Sequence, residues 1–181
     1  MLSVLTGSRQ VGKTSWLKLL VKEMDAEGLS LFGFITPAVF EGDTKTGIDA
    51  MLFPSRETFE FAKLANAHSD EKSMAPLSAK DQNPRAHWDF SDEAMGKINS
   101  HLSSVGAGDL AGKVFLVDEL GPLEMIRGEG ITEAMRILDG GLFDNAIVVI
   151  RPELLDEAER RWGAAPGGYE VIDPGTRPSF L

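Results

Sequence analysis

The feature that most constrains this chain is the octapeptide near its start, Gly7-Ser8-Arg9-Gln10-Val11-Gly12-Lys13-Thr14, which satisfies GxxxxGK[ST] at every position. By composition alone, a chain of this length carries such a match with odds on the order of one in a hundred. The setting sharpens it. Leu2 to Thr6 reads as a short buried strand, and from Lys13 the residues Trp16, Leu17, Leu20, Val21 and Met24 recur at helical spacing until Gly28. A glycine-rich turn between strand and helix lets backbone amides face inward around phosphates, and the helix N-terminus adds positive potential. Lys13 then reaches the β- and γ-phosphates, and the Thr14 hydroxyl binds magnesium. The expected cradle for a nucleoside triphosphate (ATP or GTP) comprises Gly7, Ser8, Arg9, Gln10, Val11, Gly12, Lys13, Thr14 and Ser15. An arginine inside the loop, Arg9, is a further phosphate contact or an exposed side chain.

A second segment complements the first. Val114-Phe115-Leu116-Val117 is a continuous apolar strand that delivers Asp118-Glu119 at its end. Ligands of open α/β sheets lie outside the carboxyl ends of the strands, where the first loop also lies. Asp118 is therefore expected to hold Mg2+ with Thr14, and Glu119 to orient or deprotonate an attacking water. The alternative for Glu119 is a solvated or salt-bridged loop carboxylate. Arg151 ends the run Ala146 to Ile150 at the same sheet edge, where it meets phosphates or forms an ordinary surface ion pair. Asp118 to Gly121 also fits a DxxG box, but no NKxD guanine-reading motif occurs in the chain, so guanine specificity has no support.

The rest of the chain sets the fold class. Leu31 to Phe40 and Gly47 to Phe53 flank the turn Glu41-Gly42-Asp43 and predict an antiparallel hairpin, with Thr58 to Ala62 as an added strand. Residues 65–86 read as a mobile loop, and His87 to Phe90 as a short strand. Ser91 caps a helix through Ser103, with Asp92 and Glu93 in its first turn. Ile131 to Leu138 is helical, Ala146 to Ile150 a buried strand, Pro152 to Trp162 a helix, and Tyr169 to Ile172 a final strand. Continuous β-branched runs alternating with helices indicate a largely parallel sheet covered on both faces. The expectation is a single α/β domain over residues 1–181, a three-layer fold with an antiparallel hairpin.

Charge and composition exclude other classes. The formal charge of −10 opposes the phosphate backbone, so neither nucleic acid nor an anionic membrane is expected as the main ligand. Cysteine is absent, which removes disulfides, thiolate metal sites and cysteine nucleophiles. His68, His87 and His101 form no ligand-spaced pair and read as surface or satisfied residues. With no long apolar stretch, the expected location is cytoplasmic. No protein partner is legible.

Taken together, the loop, the hairpin from Gly33-Phe34-Ile35-Thr36 through Gly47-Ile48-Asp49, and the run Val117-Asp118-Glu119-Leu120-Gly121-Pro122-Leu123-Glu124 occur in the order of a known family. The chain resembles, over nearly its whole length, the P-loop nucleoside-triphosphatase family that includes cancer-related nucleoside-triphosphatase. That resemblance implies a Mg-dependent enzyme hydrolysing several nucleoside triphosphates to diphosphates, on a RecA- or kinase-like core. It also draws attention to Glu124, which otherwise reads as a helix cap or surface group, and to Arg177, in the segment Pro174-Gly175-Thr176-Arg177 that stands where the family commonly carries an Asn-Arg pair at the base. Trp16, Trp88 and Trp162 read as packing residues rather than base-stacking platforms. Two rival functions share the motifs: a small-molecule kinase whose 65–86 loop closes over an acceptor, and a nucleotide-binding adaptor with slow turnover.

Overall fold

The computed structural model describes residues 1–8, 11–64, 88–165 and 167–181. Arg9, Gln10, His68, His87 and the 65–86 segment lie outside them. The described strands form one sheet in the order β6-β5-β4-β2-β7-β8-β1-β9, with β3 paired to β4. In chain order these are β1 (Leu2–Leu5), β2 (Ser30–Ile35), β3 (Ala38–Glu41), β4 (Thr44–Phe53), β5 (Thr58–Leu64), β6 (Trp88–Phe90), β7 (Lys113–Leu120), β8 (Asn145–Ile150) and β9 (Tyr169–Ile172). The helices are α1 (Lys13–Ala26), α2 (Asp92–Ser103), the single turn α3 (Pro122–Met125), α4 (Thr132–Asp139) and α5 (Leu155–Trp162).

The sheet has two halves of different construction. Strands β2, β7, β8, β1 and β9 run parallel. Every residue of β1 is buried, as are Val114 to Asp118 of β7 and Ala146 to Ile150 of β8. Strands buried on both faces have no use for alternation, which is why these runs read as continuous apolar segments. Helix α1 covers one face through Leu17, Leu20, Val21 and Met24. Helices α2, α4 and α5 cover the other through residues such as Ile98, Leu102, Ile137, Leu138, Ala158 and Trp162. The β1-to-β2 crossover runs one way across the sheet, and β2-to-β7, β7-to-β8 and β8-to-β9 return the other way. Such a reversal opens a crevice at the carboxyl ends beside β1.

Beyond β2 the sheet becomes antiparallel, through β4, β5 and β6, with β3 on the same edge of β4 as β2 and opposite β5. The expected hairpin, the added strand from Thr58 and the short strand ending at Phe90 are all present, as β3 with β4, β5 and β6. The run Leu31 to Phe40 divides because Pro37 offers no N–H to a ladder and restricts Thr36 before it. Strand β2 joins the parallel core, and only β3 forms the hairpin with β4, closed by Gly42 at φ 60°. Gly33 is where the halves meet. Its φ is 114°, and a Cβ there would lie 2.0 Å from the Leu116 carbonyl oxygen, so no side chain fits between β2 and β7.

Smaller expectations also need correction. The helix from Pro152 opens with a 3-10 turn over Pro152–Leu154 before α5 begins. Strand β7 does not end before the acidic pair but continues to Leu120. Helix α3 is a single turn too short for periodicity to announce. Ser91 does cap α2, its Oγ accepting from the Ala94 amide at 3.1 Å.

Candidate functional site

The loop between β1 and α1 is shaped by two glycines and closed by its own lysine. Gly7 has φ 144° and Gly12 φ 89°, and a Cβ on Gly7 would lie 2.9 Å from Val11 Cγ2. Lys13 Nζ donates to the Gly7 carbonyl at 2.6 Å and to the Ser8 carbonyl at 2.9 Å, folding back across the loop mouth. Gly12 occupies the N-cap of α1 without a capping side chain, and the first turn carries no acidic residue. The orphan amides of that turn and the helix dipole are thereby left to an anion. Ser8, Val11 and Ser15 are exposed at this mouth, and Thr14 is half-buried behind it.

Asp118 comes to the loop from β7. It is fully buried, and its Oδ1 accepts from Thr14 Oγ1 at 3.4 Å. Its other oxygen accepts from the Thr36 amide at 2.9 Å and the Thr36 hydroxyl at 3.2 Å. Burial pushes its pKa up to about 6, opposed by the Thr36 amide and reinforced by the neighbouring Glu119 charge. No ion pair reaches Asp118 among the described residues. A buried carboxylate beside a threonine hydroxyl is a pair of hard oxygen donors, which suits Mg2+, an ion that takes one or two carboxylates plus waters and substrate phosphates. Among the described residues no cluster of three or more His, Cys, Asp or Glu forms an all-protein metal cage. Thr36 closes the Gly33-Phe34-Ile35-Thr36 segment that carried the family resemblance, but no role had been assigned to it. Its bond to Asp118 follows from β2 lying beside β7.

Glu119 owes its direction to a local irregularity. Between Val117 and Leu120 the β7–β8 register shifts, inserting one extra residue, and Glu119 takes φ 65°. Left-handed backbone at a non-glycine residue costs about 1–2 kcal/mol and concentrates where side-chain aim matters. The carboxylate points to the end of β8, where Arg151 Nε donates to its Oε1 at 2.5 Å. The pair is partly exposed, with side-chain exposures of 30% for Arg151 and 43% for Glu119, so solvent reaches both. Lys13, Thr14, Asp118, Glu119 and Arg151 thus gather at the carboxyl ends of β1, β7 and β8.

Lys45, on β4, stacks its ammonium 4.6 Å from the Trp88 ring centroid. Partial burial lowers its pKa, while the charges of Glu119 and Asp118 raise it.

Other candidates fall elsewhere. Glu124 is buried, with Oε2 accepting from the Gly121 amide at 2.9 Å and Oε1 from the Ile131 amide at 3.3 Å. It ties both ends of the α3 loop together and acts as a cap. Arg177 pairs with Glu27 at 2.6 Å, beyond the far end of α1. A 14-residue helix, roughly 20 Å long, separates it from the phosphate loop. Pro174, by contrast, lies beside Gly7. Trp162 is a packing residue whose Nε1 donates to Asp139, and His101 is satisfied by the Phe53 carbonyl at 2.9 Å. No helix among the described residues is long and apolar enough to cross a membrane.

Comparison with known proteins bears on the family and the fold. A family model described as NTPase matches residues 3–161. Among solved structures, the crystal structure of THEP1 from the hyperthermophile Aquifex aeolicus superimposes with a TM-score of 0.62 at 19% identity, covering 96% of this chain and 90% of that one. The solution structure of a human cancer-related nucleoside triphosphatase gives a TM-score of 0.61 at 17% identity, covering 94% and 87%. No curated protein matches the sequence significantly. The shared architecture is the P-loop fold, a mostly parallel sheet between helical layers with an antiparallel extension. With that match spanning most of its length, this chain belongs to the NTPase family.

Proposed function

We propose that the chain is a single-domain, Mg-dependent nucleoside-triphosphatase, hydrolysing ATP, GTP or related triphosphates to diphosphate and phosphate. The observation that carries this reading is the convergence of Lys13, Thr14, Asp118 and Glu119 at adjacent strand ends. The loop amides and Lys13 bind the oligophosphate. Lys13 exchanges its bonds to Gly7 and Ser8 for the β- and γ-phosphate oxygens. Thr14 and Asp118 would hold Mg2+, which when bound neutralises charge on the β- and γ-phosphates. Asp118 stays oriented through Thr36.

Glu119 positions the attacking water. The water oxygen bonds to the γ-phosphorus, the bond to the bridging oxygen breaks, and its electron pair leaves with the diphosphate. The water proton passes to Glu119 and then to the released phosphate. Arg151 fixes the Glu119 carboxylate and places a cation at the mouth where γ-phosphate charge develops. Release of phosphate across a panel of triphosphates, with Mg2+ or a chelator and with or without candidate acceptors, tests this reading. Mg-dependent release without an acceptor is expected. Turnover only with an acceptor would assign a kinase instead, and binding with negligible turnover an adaptor.

A further inference from the structure

Resting on that reading, we propose that the site recognises an oligophosphate rather than a nucleoside, and that the chain hydrolyses inorganic tripolyphosphate to pyrophosphate and phosphate. The donors gathered at the site all suit phosphate oxygens. Gly12 opens the 14-residue α1 with no capping side chain and no acid in the first turn, so the first amides are left to an anion. Among the described residues Lys13 Nζ bonds only to the Gly7 and Ser8 carbonyls, at 2.6 and 2.9 Å, acceptors that phosphate oxygens replace. Arg151 engages Glu119 through Nε at 2.5 Å, and its terminal nitrogens bond to no described residue. A guanidinium held in this way keeps both of them for a terminal phosphate.

Strand order sets the direction of the ligand. Asp118, Glu119 and Arg151 stand at the ends of β7 and β8, on one side of β1. The terminal phosphate belongs on that side, so the opposite end of the ligand points toward β9, across β1. There the loop leaving β9 closes on the phosphate loop, with Pro174 Cδ 3.7 Å from the position of a Cβ on Gly7.

That loop is poorly equipped to read a base. Pro174 has no N–H, and the Thr176 amide is spent on the Asp173 carbonyl at 2.9 Å. The Arg177 guanidinium is taken by Glu27 at 2.6 Å. What remains is the exposed Asp173 carboxylate and Thr176 hydroxyl, neither fixed by a partner among the described residues. Selective recognition needs groups locked in place by their surroundings. A third phosphate therefore replaces the nucleoside at little loss, and either end of tripolyphosphate can present its terminal phosphorus. The water oxygen bonds to that phosphorus, the bridging P–O bond breaks, and its electron pair leaves with pyrophosphate. The water proton passes through Glu119 to the released phosphate.

The test uses the full chain with Mg·ATP, Mg·GTP and Mg·tripolyphosphate, reading phosphate and pyrophosphate release. For tripolyphosphate, kcat/KM should lie within about tenfold of the better nucleotide, whereas a site that hydrogen-bonds the base rejects a ligand lacking it by about 10⁴-fold or more. Each tripolyphosphate should yield one phosphate and one pyrophosphate, and calorimetry should give it an affinity comparable to that of the nucleotide. Lys13→Ala, purified identically, should lose release from all three substrates, which excludes a contaminating phosphatase. Nucleotide hydrolysis with tripolyphosphate more than about tenfold slower overturns the oligophosphate assignment alone. Tripolyphosphate hydrolysis that survives Lys13→Ala overturns it too. No release from any of the three by the parent removes the triphosphatase reading on which it rests.

Discussion

The parallel core and the antiparallel ribbon contribute to one site in different ways. In the core, each side chain assigned to the proposed site sits where a buried strand runs out: Lys13 and Thr14 after β1, Asp118 and Glu119 on β7, Arg151 after β8. These positions follow from strand order. The ribbon supplies one polar residue from its root, Thr36, whose amide and hydroxyl both donate to Asp118. The core thus presents charged groups at its strand ends, and the ribbon orients one of them from the side.

The largest expected effect lies in the core. Lys13→Ala should abolish hydrolysis, at least about 10³-fold or about 4 kcal/mol of barrier, with the far-UV spectrum unchanged. Calorimetry showing unaltered triphosphate affinity would break the assignment of the loop itself. Next comes the seam between the regions. Gly33→Ala places a Cβ against the Leu116 carbonyl and forces φ 114° on an alanine, so a loss of about 3 kcal/mol or more is expected in a denaturant titration. A loss below about 1 kcal/mol would mean that the seam relaxes and the ribbon is not held where it stands.

At the root of the ribbon, Thr36→Val keeps the amide bond to Asp118 and removes the hydroxyl bond. Mg-dependent triphosphate affinity should fall about tenfold, the scale of one hydrogen bond to a charged group. Unchanged affinity would separate the ribbon from the role proposed for Asp118. Arg177→Ala should alter neither turnover nor melting temperature measurably, because its ion pair with Glu27 is exposed and remote from the loop. A change in base preference would place Arg177 back at the nucleotide.

Legibility in the sequence follows the same division. Gly7 to Thr14 is contiguous, so its spacing alone fixes the turn, the lysine and the helix start. The runs ending at Asp118 and Arg151 were readable because buried parallel strands leave no alternation to confuse their ends. Even there the bulge was hidden: nothing in Val117-Asp118-Glu119-Leu120 says that one residue is extra or that Glu119 takes positive φ. In the ribbon, one hairpin was visible from Glu41-Gly42-Asp43, but the break at Thr36-Pro37 was read through. Glu124 looked as much functional as structural until its two amide partners were seen.

The most direct test of the central claim is phosphate release by Glu119→Gln, measured beside its calorimetric affinity for Mg·triphosphate. The substitution keeps size and hydrogen-bonding reach at the turned position facing Arg151 and removes only the charge. Affinity should be retained while hydrolysis falls about 100-fold or more, the usual scale for losing a general base. Near-normal release from Glu119→Gln would contradict the account and return Glu119 to a surface ion pair.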